Sequence, residues 1–183
     1  MNVRTGLKLS LLSMFSMLAA CAEPAETRNM VVDQSLAVDR EEGSPFRYNL
    51  AVTAVTGGEE TNPLWTSEIG NAQFADALKQ SLHTSKLSAD IQRNSRFEVS
   101  ANLIRVDQPE SGKDMTVTTH ATYRVTERKT GATWFHMTIQ TPYTAAFDRA
   151  FSGVARLKLA NEGAVRVNIT TFIKQLVLSK PPG

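Results

Sequence analysis

Between Phe46 and Val55 apolar residues alternate with mostly polar neighbours: Phe46, Tyr48, Leu50, Val52 and Ala54. A period of two predicts a half-buried β-strand. Thr56 to Ile69 holds Gly57-Gly58 and Asn62-Pro63 and reads as a loop. The period then lengthens. Phe74, Leu78 and Leu82, with Ala75 and Ala77 beside them, mark a helix ending near Leu87, and Asn71 is placed to cap it. Three further strands are predicted over about 96–107, 113–128 and 132–141. A long helix follows from about Ser152 to Leu178, with Val154, Leu157, Val165, Ile169, Phe172 and Leu176 on one stripe. The order is β-α-β-β-β-α. The fold class is α+β: one mainly antiparallel four-stranded sheet with two helices packed on one face.

The strands predict a register. Phe97, Val99, Ala101 and Leu103 face inward with Met115, Val117, Ala121, Tyr123 and Val125, and with Phe135, Met137 and Ile139. All are odd-numbered, so paired positions sum to even numbers. Lys129-Thr130-Gly131 suits a three-residue hairpin with Gly131 left-handed, pairing Arg128 with Ala132. A five-residue loop, Gln108 to Gly112, pairs Asp107 with Lys113 and Phe97 with Tyr123. The opposite face carries Ser100, Asn102, Thr116, Thr118, His120, Thr122 and Arg124 and is expected to be wet.

The first twenty residues read differently from the rest. Arg4 and Lys8 precede a mostly apolar run from Leu9 to Leu18. At about ten residues the run falls short of the roughly 20 that a spanning helix needs, and it has the proportions of an export signal. It ends in Leu18-Ala19-Ala20-Cys21, a tetrad that resembles the bacterial lipobox. The resemblance implies cleavage before Cys21, a diacylglyceryl thioether on its sulfur and acylation of its amine. Cys21 is the single cysteine, so no disulfide framework exists, and lipidation accounts for the leftover thiol. Ala22, where an inner-membrane lipoprotein of the enteric type would carry Asp, implies the outer membrane, periplasmic face.

Domain organisation follows: 1–20 signal peptide, 21–45 lipidated N-terminus and flexible tether, 46–179 one α+β domain, and 180–183 a tail. Ala22 to about Pro45 carries Glu23, Glu26, Asp33, Asp39, Glu41 and Glu42, and a coil of that length spans roughly 25–30 Å. Within it Met30 to Val38 is apolar enough to pair as an edge strand.

Charge and chemistry narrow the function. The net charge is +2, and both surplus charges, Arg4 and Lys8, leave with the signal segment. A neutral mature chain offers no basic face for nucleic acid. His120 and His136 lie on neighbouring strands, but the register pairs His136 with Arg124, four residues from His120. That is roughly 13 Å, too far for two ligands each about 2 Å from one metal. His83 has only Asp76 nearby in sequence, with no nucleophile. Neither a P-loop, a G-x-G-x-x-G nor a G-x-S-x-G is present. Asn168-Ile169-Thr170 matches a glycosylation triplet but falls inside a helix. No catalytic, cofactor or metal site is expected.

Candidate partner or ligand positions remain. Trp65 lies in the loop after the first strand, either as an exposed anchor or folded over the core. Phe147 and Phe151 flank Asp148 and either staple the last helix or offer a surface. Asn161 and Asn168 interrupt an apolar stripe, either lining a groove or satisfying loop backbone groups.

Phe74 to Leu82, Phe147 to Gly153 and Ala160 to Ile173, with the strands between, resemble small Gram-negative envelope lipoproteins of the YajG type over about 46–178. The element order also resembles the TolB amino-terminal domain and the activator LpoB. These resemblances imply work by protein contact. An acyltransferase built on a hexapeptide β-helix is not expected, because no such period occurs. The expected function is a lipid-anchored periplasmic accessory or assembly factor, non-enzymatic, bound to the membrane through Cys21 and to an envelope protein. The alternative is a carrier or sensor of lipid or a small apolar ligand in a pocket between sheet and helices. An enzyme is third.

Overall fold

The computed structural model describes residues 22–33, 44–61 and 67–179. Its elements are α1 (Thr27–Met30), β1 (Leu50–Thr56), α2 (Asn71–Thr84), β2 (Phe97–Asp107), β3 (Met115–Glu127), β4 (Thr133–Ala145) and α3 (Gly153–Leu178). The four strands form one sheet in the order β1-β2-β3-β4. β1 and β2 are parallel, joined by the α2 crossover, and the other two pairs are antiparallel. α2 and α3 pack on the sheet, as the hydrophobic pattern predicts.

β1 starts later than the alternation suggests. Phe46 is buried in a turn, and Tyr48 adopts φ +53° and points 46% exposed. α2 is capped by Gly70 rather than Asn71. The Asn71 Oδ1 instead accepts from the Gly58 N–H at 2.9 Å, tying the loop to the helix start. α3 does have its own cap, because the Ser152 hydroxyl accepts from Ala155 N–H at 3.1 Å.

The β3–β4 register is the expected one, with Arg124 opposite His136 and Val125 opposite Phe135. Gly131 adopts φ +72° and donates to the Glu127 carbonyl. Past Val125 a shift leaves Trp134 as the extra residue, and its ring reaches Phe97 at 4.9 Å and Phe46 at 6.0 Å. The β2–β3 register differs. Phe97 faces Glu127, and Ala101 faces Tyr123. From Phe97 to Leu103 parity survives but the pairing slides by four, because the connection after Asp107 is longer than five residues, and a bulge between Leu103 and Arg105 then shifts the last pairs by one and sets Asp107 opposite Thr118. The extra residue, Ile104, is left 53% exposed.

The core is a layer of rings between sheet and helix. Tyr123 stacks on Phe172 at 4.2 Å with planes 5° apart, and Phe135 meets Phe172 edge-on at 5.6 Å. Phe74 of α2 closes the other side of Tyr123 at 6.5 Å. Leu50, Val99, Val165, Ile169 and Leu176 surround them, almost without exposure. Each such side chain contributes about 1.5–3 kcal/mol. That outweighs two amides on the α3 stripe provided both are hydrogen-bonded.

Candidate functional site

Cys21 and Trp65 lie outside the described residues. Residues 22–33 of the expected tether are docked rather than free, and 34–43 lie outside the described residues. From Ala22 to Asp33 the chain lies along α3, with Ala22, Ala25, Met30 and Val32 buried. Met30 ends α1 rather than starting an edge strand, and residues 34–38 of that expected strand fall outside the described residues.

Three charged residues of α3 hold this segment. The Glu162 carboxylate, 1% exposed, accepts from Glu26 N–H at 2.8 Å and from Asn29 Nδ2 at 2.9 Å. Lys158 Nζ donates to Glu23 at 3.0 Å and to Glu26 at 2.7 Å. Arg166 donates to the Asn29 carbonyl. Further on, Val32 N–H donates to the Ser81 hydroxyl of α2 at 3.0 Å. Burial pushes the Glu162 carboxyl above the usual range, while the bond from Lys158 draws Glu26 below it. Burial alone would depress Lys158, but Glu26, Glu23 and Glu162 together raise it.

The acidic residues after Cys21 suggest a solvated run. Two of them are counterions instead. The signal that finds this is the i, i+4 spacing of Lys158, Glu162 and Arg166, a charged stripe on the long helix beside its apolar one.

Asn161 and Asn168 belong to no surface, for both are fully buried. Asn161 donates to the Ser67 carbonyl at 2.7 Å and accepts from Gln108 at 3.1 Å, so it pins a loop. Asn168 donates to the carbonyls of Thr119 (3.3 Å) and Ile139 (3.0 Å) and to the Thr141 hydroxyl (3.0 Å), and accepts from Tyr123. It bridges α3 to β3 and to the edge strand β4. The Asn168 amide nitrogen is fully engaged by these three acceptors.

Phe147 and Phe151 do not staple the helix. They are 58% and 105% exposed. Phe147 opens a short 3-10 turn (Phe147–Arg149), where its N–H donates to Asp114 Oδ1 at 2.9 Å. The Arg156 guanidinium lies 4.8 Å from its ring centre and donates to the Ala150 carbonyl at 2.8 Å. The backbone of this turn is fixed while the rings stand outward.

The histidines stay apart, since His120 pairs with Gln140 and His136 with Arg124. His120 is engaged by Asp107 at 2.9 Å and Arg105 at 3.2 Å across the bulge. No group of three or more His, Cys, Asp or Glu that could hold a metal occurs among the described residues. Two clefts among them hold about 200 Å³, beside Tyr143, Arg149 and Arg166, and about 180 Å³, beside Glu59, Glu68 and Arg105. Both are small against the roughly 300–1,000 Å³ of ligand pockets.

No protein-family model matches the chain, and no curated protein matches its sequence. Solved structures do match. A Xanthomonas campestris protein assigned to DUF330 superposes with a TM-score of 0.55 at 12% identity, over 75% of this chain and 89% of that one. The likeness is one of fold. Weaker matches include PelC from Paraburkholderia phytofirmans, a dodecamer (TM-score 0.47, 13% identity, 75% of this chain and 96% of that one). A minor lipoprotein from Acinetobacter baumannii also matches (TM-score 0.44, 11% identity, 75% and 100%). Among the described residues no helix is long and apolar enough to cross a membrane.

Proposed function

We propose that this chain is a lipid-anchored envelope lipoprotein, held through Cys21 in the outer membrane facing the periplasm. In this reading it acts without catalysis, as an accessory or assembly factor that binds another envelope protein. The observation that carries the contact reading is the filled interior. A carrier of lipid or apolar ligand needs room between sheet and helices. Here that space is occupied by the Tyr123–Phe172 stack and by Asn168, whose amide is spent on the strands. What the fold offers is surface. The outer face of the sheet, with Thr116, Thr122, Arg124 and Thr138, is covered by no described element.

The lipobox supports the address, and the YajG-like segments support the mode of action. The test is affinity capture of the intact lipoprotein from membranes, with a photo-crosslinking residue at Thr138. A single reproducible envelope protein crosslinked there is the expected result. Crosslinking to nothing but solvent-exposed bystanders, different in each preparation, would overturn it. Mass spectrometry of the gently purified chain separates the alternative, since a carrier retains ligand.

A further inference from the structure

The segment following Cys21 runs in the same direction as α3. Lys158 binds Glu23 and Glu26, Glu162 binds Glu26 and Asn29, and Arg166, a turn further on, binds Asn29. Moving back along the segment toward Cys21 therefore means moving back along α3 toward its N-terminus. The described chain begins at Ala22, buried at 6% exposure and one peptide bond from Cys21. The start of α3 is where Phe147 and Phe151 stand. Phe151 lies seven residues before Lys158, roughly 10 Å along the helix axis.

Two independent features thus meet at one end of the domain: the attachment point and the two phenylalanines most exposed among the described residues. Two exposed phenyl rings four residues apart, at 58% and 105% exposure, make an apolar patch of the kind that marks a contact with a membrane or a partner. The Phe147 backbone is held by Asp114 and its ring is flanked by Arg156, so the rings are presented by a fixed turn rather than a loose loop. Exposed Asp148 and Arg149 lie between them, and Arg149 is the cation suited to lipid phosphate.

We infer that Phe147 and Phe151 form a membrane-interface patch that seats this end of the domain on the same bilayer that holds the Cys21 lipid. The occupant is the lipid surface. The patch rests on the reading of Cys21 as lipidated and adds an orientation to it. The docked segment leaves little slack between anchor and body, so the domain lies against the membrane with α3's N-terminus down. The β3–β4 turn at Lys129 is then the far end, since β4's thirteen residues separate it from Ala145 by roughly 43 Å.

The test uses the full acylated lipoprotein in vesicles of phosphatidylethanolamine and phosphatidylglycerol. A polarity-sensitive thiol dye is placed by Phe151→Cys, or by Lys129→Cys as the distal control, with brominated lipid as quencher. The expected result is quenching several-fold stronger at position 151 than at 129, with a blue-shifted emission. A chain that floats with the vesicles but leaves the dye at 151 as wet as at 129 overturns the patch and keeps the anchor, which would make a protein the cover for these rings. A chain that does not float with the vesicles overturns the anchor and the patch with it.

Discussion

The Tyr123 hydroxyl donates to Asn168 Oδ1 at 2.8 Å, and both side chains are fully buried. This bond crosses from the sheet to α3 beside the Tyr123–Phe172 stack. Burial drives the Tyr123 phenol far above its ordinary value, so it stays protonated and donates at every working pH. Tyr123→Phe keeps the stack but orphans the Asn168 oxygen. The expected loss is about 1–3 kcal/mol. Tm should fall by about 2–4 °C for each of them in a domain of this size. Thermal denaturation by circular dichroism checks it, and an unchanged Tm would show that the bond contributes nothing.

Gly163 of α3 faces the ring of Tyr143. A Cβ at that position would lie 2.2 Å from two ring carbons. Gly163→Ala would gain up to about 1 kcal/mol of helix propensity. Overpacking costs about 1–3 kcal/mol, so the net effect is expected to be a loss. Tyr143→Ala should relieve it: in the double variant the alanine at 163 becomes neutral or stabilising. A double-mutant cycle by denaturant unfolding reads the coupling, and strict additivity would refute the contact.

The element order and the inward odd-numbered sets were legible because they follow from periods of two and 3.6, except that Met137, expected inward, is 39% exposed on the edge strand β4. The left-handed Gly131 was legible too, but not the turn length: Glu127 rather than Arg128 bonds to Ala132, because the extra Trp134 shifts the end of the ladder by one. The β2–β3 pairing was not legible. Nothing local shows that the connection after Asp107 exceeds five residues, which slides Phe97 to Leu103 by four, and nothing in Leu103-Ile104-Arg105 announces the bulge that shifts the pairs beyond it by one more. Lys86 at φ +57° ends α2 where a glycine would have been the signal. The candidate site was half legible. Phe147 and Phe151 were singled out for their position, whereas Asn161 and Asn168 drew attention as polar residues on an apolar stripe. Sequence shows that such amides need partners but not whether a ligand or a strand supplies them. The docking of Ala22–Asp33 depends on contacts from Glu162 to Glu26 and Asn29 across more than a hundred residues, beyond any local pattern.

Glu162 and Glu26 have opposite pH signs. The raised value of Glu162 means that the folded state binds its proton more tightly than the unfolded chain. Its contribution therefore rises as pH falls through the raised value toward the ordinary 4.5. Glu26 is lowered, so its contribution is present above 4.5 and is lost as pH falls through the lowered value. Above 4.5 both Glu162 and Glu68, each raised by burial, hold their protons more tightly in the folded state, so stability should decline as pH rises through their raised values. Glu162→Gln should remove its share and make the decline shallower. Urea unfolding across this range measures it, and an unchanged slope in the variant would assign the effect elsewhere.

Glu162→Ala tests the docking itself. It removes the acceptor for Glu26 and Asn29 and leaves Lys158 only its surface partners. Arg28, whose side chain is 80% exposed, then becomes a cleavable trypsin site once its backbone can leave the α3 surface. The expected outcome is rapid cut after Arg28 in the variant and slow cut in the parent, with residues beyond 44 intact in both. Equal rates would mean that Glu162 does not hold the segment.

Cys21→Ser separates anchor from fold. Among the described residues, the contacts that hold Ala22–Asp33 do not involve Cys21, so the variant should keep the parent's Tm. Its membrane affinity should collapse. Each buried CH₂ of an acyl chain contributes about 0.8 kcal/mol, and stable anchoring takes two chains. Two phenyl rings at an interface cannot replace them, so a salt wash should move the variant into the soluble fraction. Globomycin-type blockade of signal cleavage should leave the parent chain with its first twenty residues still attached, seen as a slower band. A variant that stays with washed membranes and melts like the parent would remove Cys21 from the anchor and place the whole attachment on the protein surface.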